Sequence, residues 1–333
     1  MTHAISEQTE STHETQTIAS SWELRQIGMH LGDNYQVVRE LGKGAMGVVF
    51  LARDIALHRL VAIKVLKHDL ASSEDHRERF RREARMTARL SHPNIVPVHT
   101  FVEAGDFVCI VMKYVHGESL AVRLRRDGAM NSAESRRLLS ELAMALDYAH
   151  REGVVHRDLK AENILIERGS GRAMLTDFGV ALLRSLDAGR AEAGHYGTPH
   201  YMSPEQAACD SDLDGRSDLY SLGVLGYYMT TGRLPFHALT FEAMAAKQIT
   251  EAHVPLKTAA PKLDADVALA IEMCLMKDRE NRWRHGRFMA DALSNQKGRN
   301  GIARVVRRLT TAAAALALGV GIPTAVSAIK TWM

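Results

Sequence analysis

Cysteine is scarce in this sequence and never closely spaced. The three cysteines, Cys109, Cys209 and Cys274, are scattered over 333 residues, and no two form a Cys-x-x-Cys pair. A structural zinc site needs four ligands at close spacing, and none is present. The spacing therefore predicts reduced core or surface thiols, as expected in a cytosolic compartment.

The sequence also lacks a strong excess of charge of either sign. Its 42 basic and 39 acidic residues leave a net charge of +3, which gives no reason to expect nucleic acid as a partner. The N-terminus has no apolar run of signal-peptide length, so nothing there predicts secretion. Apolar residues make up 46% of the chain, and 333 residues are enough for one large domain or two smaller ones with a sizeable core.

One long segment near the C-terminus has no charged residue. It covers residues 309–329 and follows Arg304, Arg307 and Arg308. Twenty-one uncharged residues can span a bilayer, and the basic flank would keep the preceding domain in the cytoplasm. We therefore expect a transmembrane helix over 309–329, after a basic juxtamembrane linker over 296–308, in a single-pass protein of the cell inner membrane. Because seven alanines, two glycines and Pro323 dilute its hydrophobicity, a cytoplasmic protein with a soluble Ala-rich helix or a surface anchor is the alternative.

The rest of the chain divides into a polar tail, a β-rich part and a helical part. Residues 1–30 are polar and predict a flexible tail. Alternating and β-branched runs predict five strands and one helix between Tyr35 and Met112. After Gly117 the pattern is helical to about Leu293, most clearly over Ser132–Arg151, Gly215–Thr231 and Ala265–Met276.

A glycine-rich loop and a lysine indicate phosphate binding in the β-rich part. Gly42, Gly44 and Gly47 lie between two predicted strands, where glycines let backbone amides approach phosphate oxygens. The strand that follows disfavours a dinucleotide fingerprint, which requires a helix there. Lys64 ends an apolar strand and can reach phosphates under the loop. Glu83, on the predicted helix, is its expected carboxylate partner, and a surface charge is the alternative.

The helical part contains a set of charged residues suited to phosphoryl transfer. Asp158 can orient a hydroxyl and accept its proton, and Lys160 can lie beside the transferred phosphate. Asn163 and Asp177 supply the oxygen ligands that Mg²⁺ prefers. A polar turn between strands is the alternative explanation.

With the catalytic-loop motif His156–Asn163, the triplet Asp177–Gly179 and the segment Gly197–Gln206, the order of motifs from about Tyr35 to Leu293 resembles that of bacterial eukaryotic-like (Hanks-type) Ser/Thr protein kinases. The resemblance implies an α+β, bilobal protein-kinase fold with a kinase domain over 31–295. Its small β-rich N-lobe would cover about 34–114 and its larger helical C-lobe about 118–295. It further implies ATP as the phosphate donor, Mg²⁺ or alternatively Mn²⁺ as the metal, and proteins with Ser or Thr acceptors as substrates.

The resemblance also assigns roles to individual residues. Those expected around the adenine are Val49, Ala62, the gatekeeper Met112, the hinge residue Val115 and Leu165. Asp218 is expected to brace the catalytic loop, and Glu205 and Arg282 to form a buried ion pair.

The activation segment, Asp177–Glu205, departs from bacterial relatives in lacking paired threonines. Phosphorylation of Ser185 or Thr198, an acidic substitute such as Glu192, and activation through a homodimer all remain open. A pseudokinase scaffold and a small-molecule kinase are the competing functions. The presence of Lys64, Asp158 and Asp177 disfavours the first, and the complete Gly197–Glu205 segment disfavours the second.

Overall fold

The structure is a computed structural model that describes residues 22–44, 47–105, 107–178 and 199–294, without the side chains of Arg79 and Glu83. Its strands are β1 (Tyr35–Lys43), β2 (Gly47–Asp54), β3 (Arg59–Leu66), β4 (Val98–Ala104), β5 (Phe107–Lys113), β6 (Gly117–Ser119), β7 (Ile164–Glu167) and β8 (Ala173–Leu175). Its α-helices are α1 (Trp22–Leu31), α2 (His68–Ala71), α3 (Glu74–Ala88), α4 (Leu120–Asp127), α5 (Ser132–Arg151), α6 (Pro204–Ala207), α7 (Gly215–Thr231), α8 (Phe241–Thr250), α9 (Leu256–Ala259), α10 (Ala265–Cys274) and α11 (Gly286–Ser294). The two-lobed kinase architecture expected from the resemblance is confirmed.

The N-lobe is built on a five-stranded antiparallel sheet in the order β1-β2-β3-β5-β4. Successive side chains of a strand point to opposite faces, so β3 and β5 contribute alternately to two buried clusters. Val61, Ile63 and Val65 belong to the cluster on one face, whereas Ala62 and Leu66 belong to the cluster on the other. The second face carries the candidate nucleotide residues.

Helix α1 corrects the prediction of a flexible tail for residues 22–30. Ile27 and Leu31, one helical turn apart, are 0% and 4% exposed and pack on the outer face of the N-lobe sheet. The Trp22 ring lies 4.6 Å from the His68 ring of α2. Because the apolar outer face would otherwise contact water, a mostly polar helix with two anchoring residues is held there.

The C-lobe core forms around α5 and α7, and the bounds of both helices match the sequence prediction. The Asn131 side chain caps α5 by accepting from the Glu134 amide at 2.9 Å. Gly226 lets α10 pack closely against α7, because a Cβ there would lie 2.9 Å from Ile271.

A short antiparallel sheet of β6, β7 and β8 corrects the prediction of a wholly helical C-lobe. Leu165 pairs with Met174 in this sheet, and Ile95 bridges in parallel to Leu175. The sheet therefore joins the two lobes beside the hinge and fixes the segments on either side of the candidate site.

Within the ranges that the structure describes, no helix is both long enough and apolar enough to cross a membrane. The expected span over 309–329, the linker over 296–308 and residues 1–21 lie outside those ranges.

Candidate active site

The catalytic-loop residues expected from sequence lie together at the entrance to β7. Lys160 Nζ lies 2.7 Å from Asp158 Oδ2. The Asn163 amide nitrogen donates to the Asp158 carbonyl at 2.8 Å and to its carboxylate at 3.3 Å. A short 3-10 turn over Ala161–Asn163 sets this geometry. The carboxylate of Asp158 is thus oriented from two sides, as a group that must aim at a substrate hydroxyl requires.

The second charged pair joins the two lobes. Lys64 Nζ, from β3, donates to Asp177 Oδ1 at 2.8 Å, and the two side chains are 8% and 30% exposed. Burial raises the pKa of Asp177, but the neighbouring Lys64 outweighs burial and holds that pKa below its usual value. Asp177 is therefore ionised at neutral pH, as a metal ligand must be.

Asp218 of α7 braces the catalytic loop from beneath. It is 0% exposed and accepts from the amides of His156 at 2.8 Å and Arg157 at 2.7 Å, and from the His150 ring at 2.7 Å. Burial raises the pKa of Asp218, but hydrogen bonding to His150 and the charges of His150 and His156 lower it overall. These bonds stabilise Arg157 at φ 65°, a left-handed conformation that costs energy for a residue with a side chain.

Two residues that the sequence analysis did not single out complete the support of the loop. The buried His156 ring contacts the Thr176 carbonyl at 3.0 Å and the Phe178 ring at 4.6 Å between centroids. Gln206 donates to the Arg157 carbonyl at 2.8 Å. His156 begins the catalytic-loop motif, so its position in the sequence was the available indication. Gln206 ends the Gly197–Gln206 segment, whose resemblance to bacterial kinases was the available indication.

The apolar side chains that would line an adenine site, here named the apolar pocket, form one cluster on the inner face of the N-lobe sheet, next to Lys64. Met112, Ala62 and Val115 are buried in one cluster, against which Val49 and Leu165 pack. Ala62 pairs with Met112 across β3 and β5, and Val49 pairs with Lys64 across β2 and β3. The structure thus brings together all five residues expected around an adenine ring.

The glycine loop separates into one packed and two open positions. A Cβ on Gly47 would lie 2.1 Å from the Val65 carbonyl oxygen, so close strand packing requires this glycine. Among the described residues, which do not include Ala45 and Met46, Gly42 has no atom within 4 Å of such a Cβ, and Gly44 has only the Gly47 oxygen at 3.8 Å. Space beside these two glycines suits the close approach of phosphate oxygens to the backbone.

Asn163 and Asp177 fit a magnesium ion shared with a substrate. The Thr176 amide donates to the Asn163 carbonyl at 3.0 Å, which places the two expected ligands on adjoining segments. Within the described residues no cluster of three or more His, Cys, Asp or Glu could hold a metal. Mg²⁺ is usually bound by one or two protein groups together with substrate phosphates, so this pair suffices.

Lys113, which stands where an acidic hinge residue is common, is paired within the protein. Its Nζ lies 3.0 Å from Glu167 Oε1 of β7. Bonding to Ser170, Lys113 and Arg172 lowers the pKa of Glu167 to about 2. The positive charge is thereby neutralised at the edge of the pocket.

Some expected residues lie outside what is described. Glu83 lies on α3, but its side chain is outside the described part, so its pairing with Lys64 stays a prediction. Ser185 and Thr198 lie in the undescribed range 179–198.

The expected ion pair between Glu205 and Arg282 is present. The guanidinium donates to both carboxylate oxygens, at 2.7 and 2.8 Å, and also to the carbonyls of Met276, Arg216 and Lys277. These bonds use all five N–H groups of an arginine. Ser217 adds a hydrogen bond of 2.7 Å to Glu205. The pair joins the end of the activation segment to the C-lobe core.

Comparison with known proteins agrees with this geometry. A family model described as protein kinase domain matches residues 35–294. The chain is 41% identical over 271 residues to serine/threonine-protein kinase pkn2 of Myxococcus xanthus, covering 79% of this chain and 32% of that protein. It is 39% identical over 262 residues to serine/threonine-protein kinase PknB of Mycobacterium tuberculosis, covering 76% of this chain and 41% of that protein.

The solved structures show the same fold. The crystal structure of the Mycobacterium tuberculosis PknI kinase domain covers 78% of this chain and 95% of its own, with a TM-score of 0.62 and 30% identity. The family model covers most of the chain, and the related sequences are bacterial serine/threonine kinases. The chain therefore belongs to the protein kinase family, among its bacterial Hanks-type serine/threonine members.

Proposed function

We propose that this protein is a serine/threonine kinase that transfers the γ-phosphoryl group of ATP to hydroxyls of protein substrates, its own chain included. The observation that carries this proposal is the joint placement of two charged sets beside the apolar pocket. Lys64 and Asp177 form one set, and Asp158, Lys160 and Asn163 form the other. A scaffold without catalysis would have no use for a complete set held in this geometry.

Each residue of the site has a distinct role in the proposed reaction. The apolar pocket binds the adenine, and Lys64 neutralises phosphate charge. Asp158 orients the acceptor hydroxyl and takes its proton as the oxygen bonds to phosphorus, while the bond to the ADP oxygen breaks. Lys160, 2.7 Å from Asp158, neutralises charge on the transferred group. Asn163 and Asp177 would hold Mg²⁺, which would neutralise phosphate charge and help orient the phosphates.

Phosphate incorporation tests this function. The full-length protein is incubated with Mg²⁺ and ATP, alone and with myelin basic protein as a generic acceptor, and phosphosites are mapped by mass spectrometry. We expect label on serine and threonine that disappears in Lys64→Met, which loses the ammonium group but keeps a similar length. Undiminished label in that variant, or none in the wild type on either acceptor, would contradict the proposal. The map also decides among Ser185, Thr198 and the N-terminal residues.

We further propose that residues 309–329 anchor the kinase to the inner face of a bacterial membrane, with dimerisation as one route of activation. The sequence supports the membrane anchor, because the seven Leu, Ile and Val residues of 309–329 supply roughly −2 to −4 kcal/mol of insertion free energy. One arginine at the centre costs about 2.5–3.5 kcal/mol. We therefore expect Leu318→Arg to move the protein from the membrane fraction to the soluble fraction.

Membrane fractions washed with alkaline carbonate provide the measurement. The wild type should remain with the lipid, and Lys330→Arg, which keeps the flanking charge, serves as the matched control. Release of the wild type by carbonate would instead indicate a surface anchor or a soluble helix.

A further inference from the structure

Gln248 of α8 is a buried polar residue whose entire amide group is engaged. It is 0% exposed, although glutamine is usually found at the surface. Its side-chain nitrogen donates to the carbonyls of Pro199 at 3.3 Å and His200 at 2.7 Å. Its side-chain oxygen accepts from the Tyr220 hydroxyl at 2.7 Å. Gln248 thus ties the first turn after the undescribed activation-segment residues to two C-lobe helices.

Lys277 fixes Gln248 from the other side. Its Nζ donates to the Gln248 carbonyl at 2.7 Å and to the Tyr220 hydroxyl at 3.1 Å, and it lies 4.3 Å from the centre of the Phe236 ring. The main chain and the side-chain oxygen of Gln248 are therefore both held by groups from outside α8. The side-chain NH₂ group of Gln248 is therefore held in a fixed position facing the Pro199–Tyr201 turn.

The Pro199–Tyr201 turn in turn contacts the catalytic loop. The Tyr201 side chain is buried in the same cluster as Leu159 and Ala161 of the catalytic loop. The Tyr201 carbonyl accepts from Ser221 of α7 at 2.7 Å. An acceptor chain that brings its hydroxyl to Asp158 must pass beside this turn, because the turn flanks the loop that carries the carboxylate.

We propose that Gln248 is a positioning residue for the protein acceptor, acting through the Pro199–Tyr201 turn. This inference rests on the proposed function and identifies a further residue that acts on the same active site. The turn is a single 3-10 turn in which the Pro199 carbonyl also accepts from the Met202 amide at 3.3 Å. The shorter bond from Gln248, at 2.7 Å, satisfies the His200 carbonyl. In the described structure the Gln248 side chain bonds only to Tyr220 and to this turn, and none of these bonds involves the groups expected to hold ATP, Lys64 and Asp177. Loss of Gln248 should therefore weaken acceptor use and spare ATP use.

The test uses Gln248→Met in the full-length protein, which keeps a similar length and removes both donors and the acceptor. We expect the KM for myelin basic protein to rise roughly five- to twentyfold, because the turn loses the two hydrogen bonds that Gln248 donates to it. The KM for ATP, and the slow hydrolysis of ATP without a protein acceptor, should stay within about twofold.

The matched control is Thr230→Val. Thr230 is also buried, but its hydroxyl bonds only to the Gly226 and Tyr227 carbonyls of its own helix in the described structure. This variant should lose stability without a change in the KM for the acceptor. Equal effects of the two variants on that KM would overturn the proposal, as would a parallel fall of ATP hydrolysis in Gln248→Met.

Hydrogen exchange gives a readout that does not depend on activity. Peptides covering 199–208 should exchange faster in Gln248→Met, whereas peptides from α5 should be unchanged. Unchanged exchange over 199–208 would overturn the inference even if the kinase function stands. Faster exchange in a protein without phosphotransfer activity would support the positioning of the turn while the function itself failed.

Discussion

Asp158→Asn is expected to lower kcat for protein phosphorylation by about 10²- to 10⁴-fold, the contribution typical of a positioned general base. The variant has nearly the same shape, but its amide cannot accept a proton, and its NH₂ group would face the Lys160 ammonium 2.7 Å away. ATP binding should persist, because the Lys64–Asp177 pair is untouched. The measurement is the initial rate at saturating ATP and acceptor, together with a titration of ATP binding.

Asp291→Asn is the matched control for this substitution. Asp291 is exposed on α11, so its replacement should leave both kcat and ATP binding unchanged. A turnover of Asp158→Asn within about tenfold of the wild type would show that Asp158 is not the base.

Arg282→Met is expected to reduce the free energy of unfolding by about 3–5 kcal/mol, the cost of removing one partner of a buried ion pair. The substitution leaves the Glu205 carboxylate buried with Ser217 and removes the donors to three carbonyls. For a domain of this size the melting temperature should fall by roughly 6–20 °C. Calorimetry at neutral pH measures the effect. Arg279→Met, which breaks a surface pair with the exposed Asp212, should cost at most about 1 kcal/mol.

The loss of unfolding free energy caused by Arg282→Met should become smaller at acidic pH. In the wild type, burial raises the pKa of Glu205, but bonds and charge from Arg282 outweigh it and hold that pKa below 4.5. The pair's contribution is thus present above about pH 4.5 and is lost as pH falls through the folded pKa. In the variant, Glu205 becomes a buried carboxyl with a raised pKa, which protonates and relieves the penalty. A deficit that stays constant or grows below pH 4.5 would contradict this account.

The candidate site could be predicted well from sequence because its residues lie in short, ordered motifs. Asp158, Lys160 and Asn163 are five residues or fewer apart, and a single turn brings them together. The five strands of the N-lobe sheet were predicted from runs such as Phe107–Met112, whose alternate side chains enter two different cores in the structure. Short motifs were sufficient for the site, and local runs of strand-forming residues were sufficient for the strands.

The features that were missed depend on partners distant in sequence. Helix α1 has only Ile27 and Leu31 fully buried, so its own pattern is too sparse to predict a docked helix. The continuous apolar run of β5 was the available indication, because a strand buried on both faces requires a covering element. The role of Gln248 depends on carbonyls about 50 residues away, and no local pattern encodes such a contact.

The two-faced sheet has a consequence for how this domain can change in length during evolution. Insertion of one residue in β3 before Ile63 would exchange the faces of the residues that follow, turning Lys64 toward the outer core and Ile63 toward the nucleotide pocket. An insertion in β5 would exchange the faces of its own residues in the same way. Such an event would damage folding and chemistry at once. A substitution by a residue of similar size alters only the core in which that residue lies. We therefore expect insertions and deletions among related sequences to be confined to the connections, such as the turn at Gly105, and to be rare inside these two strands.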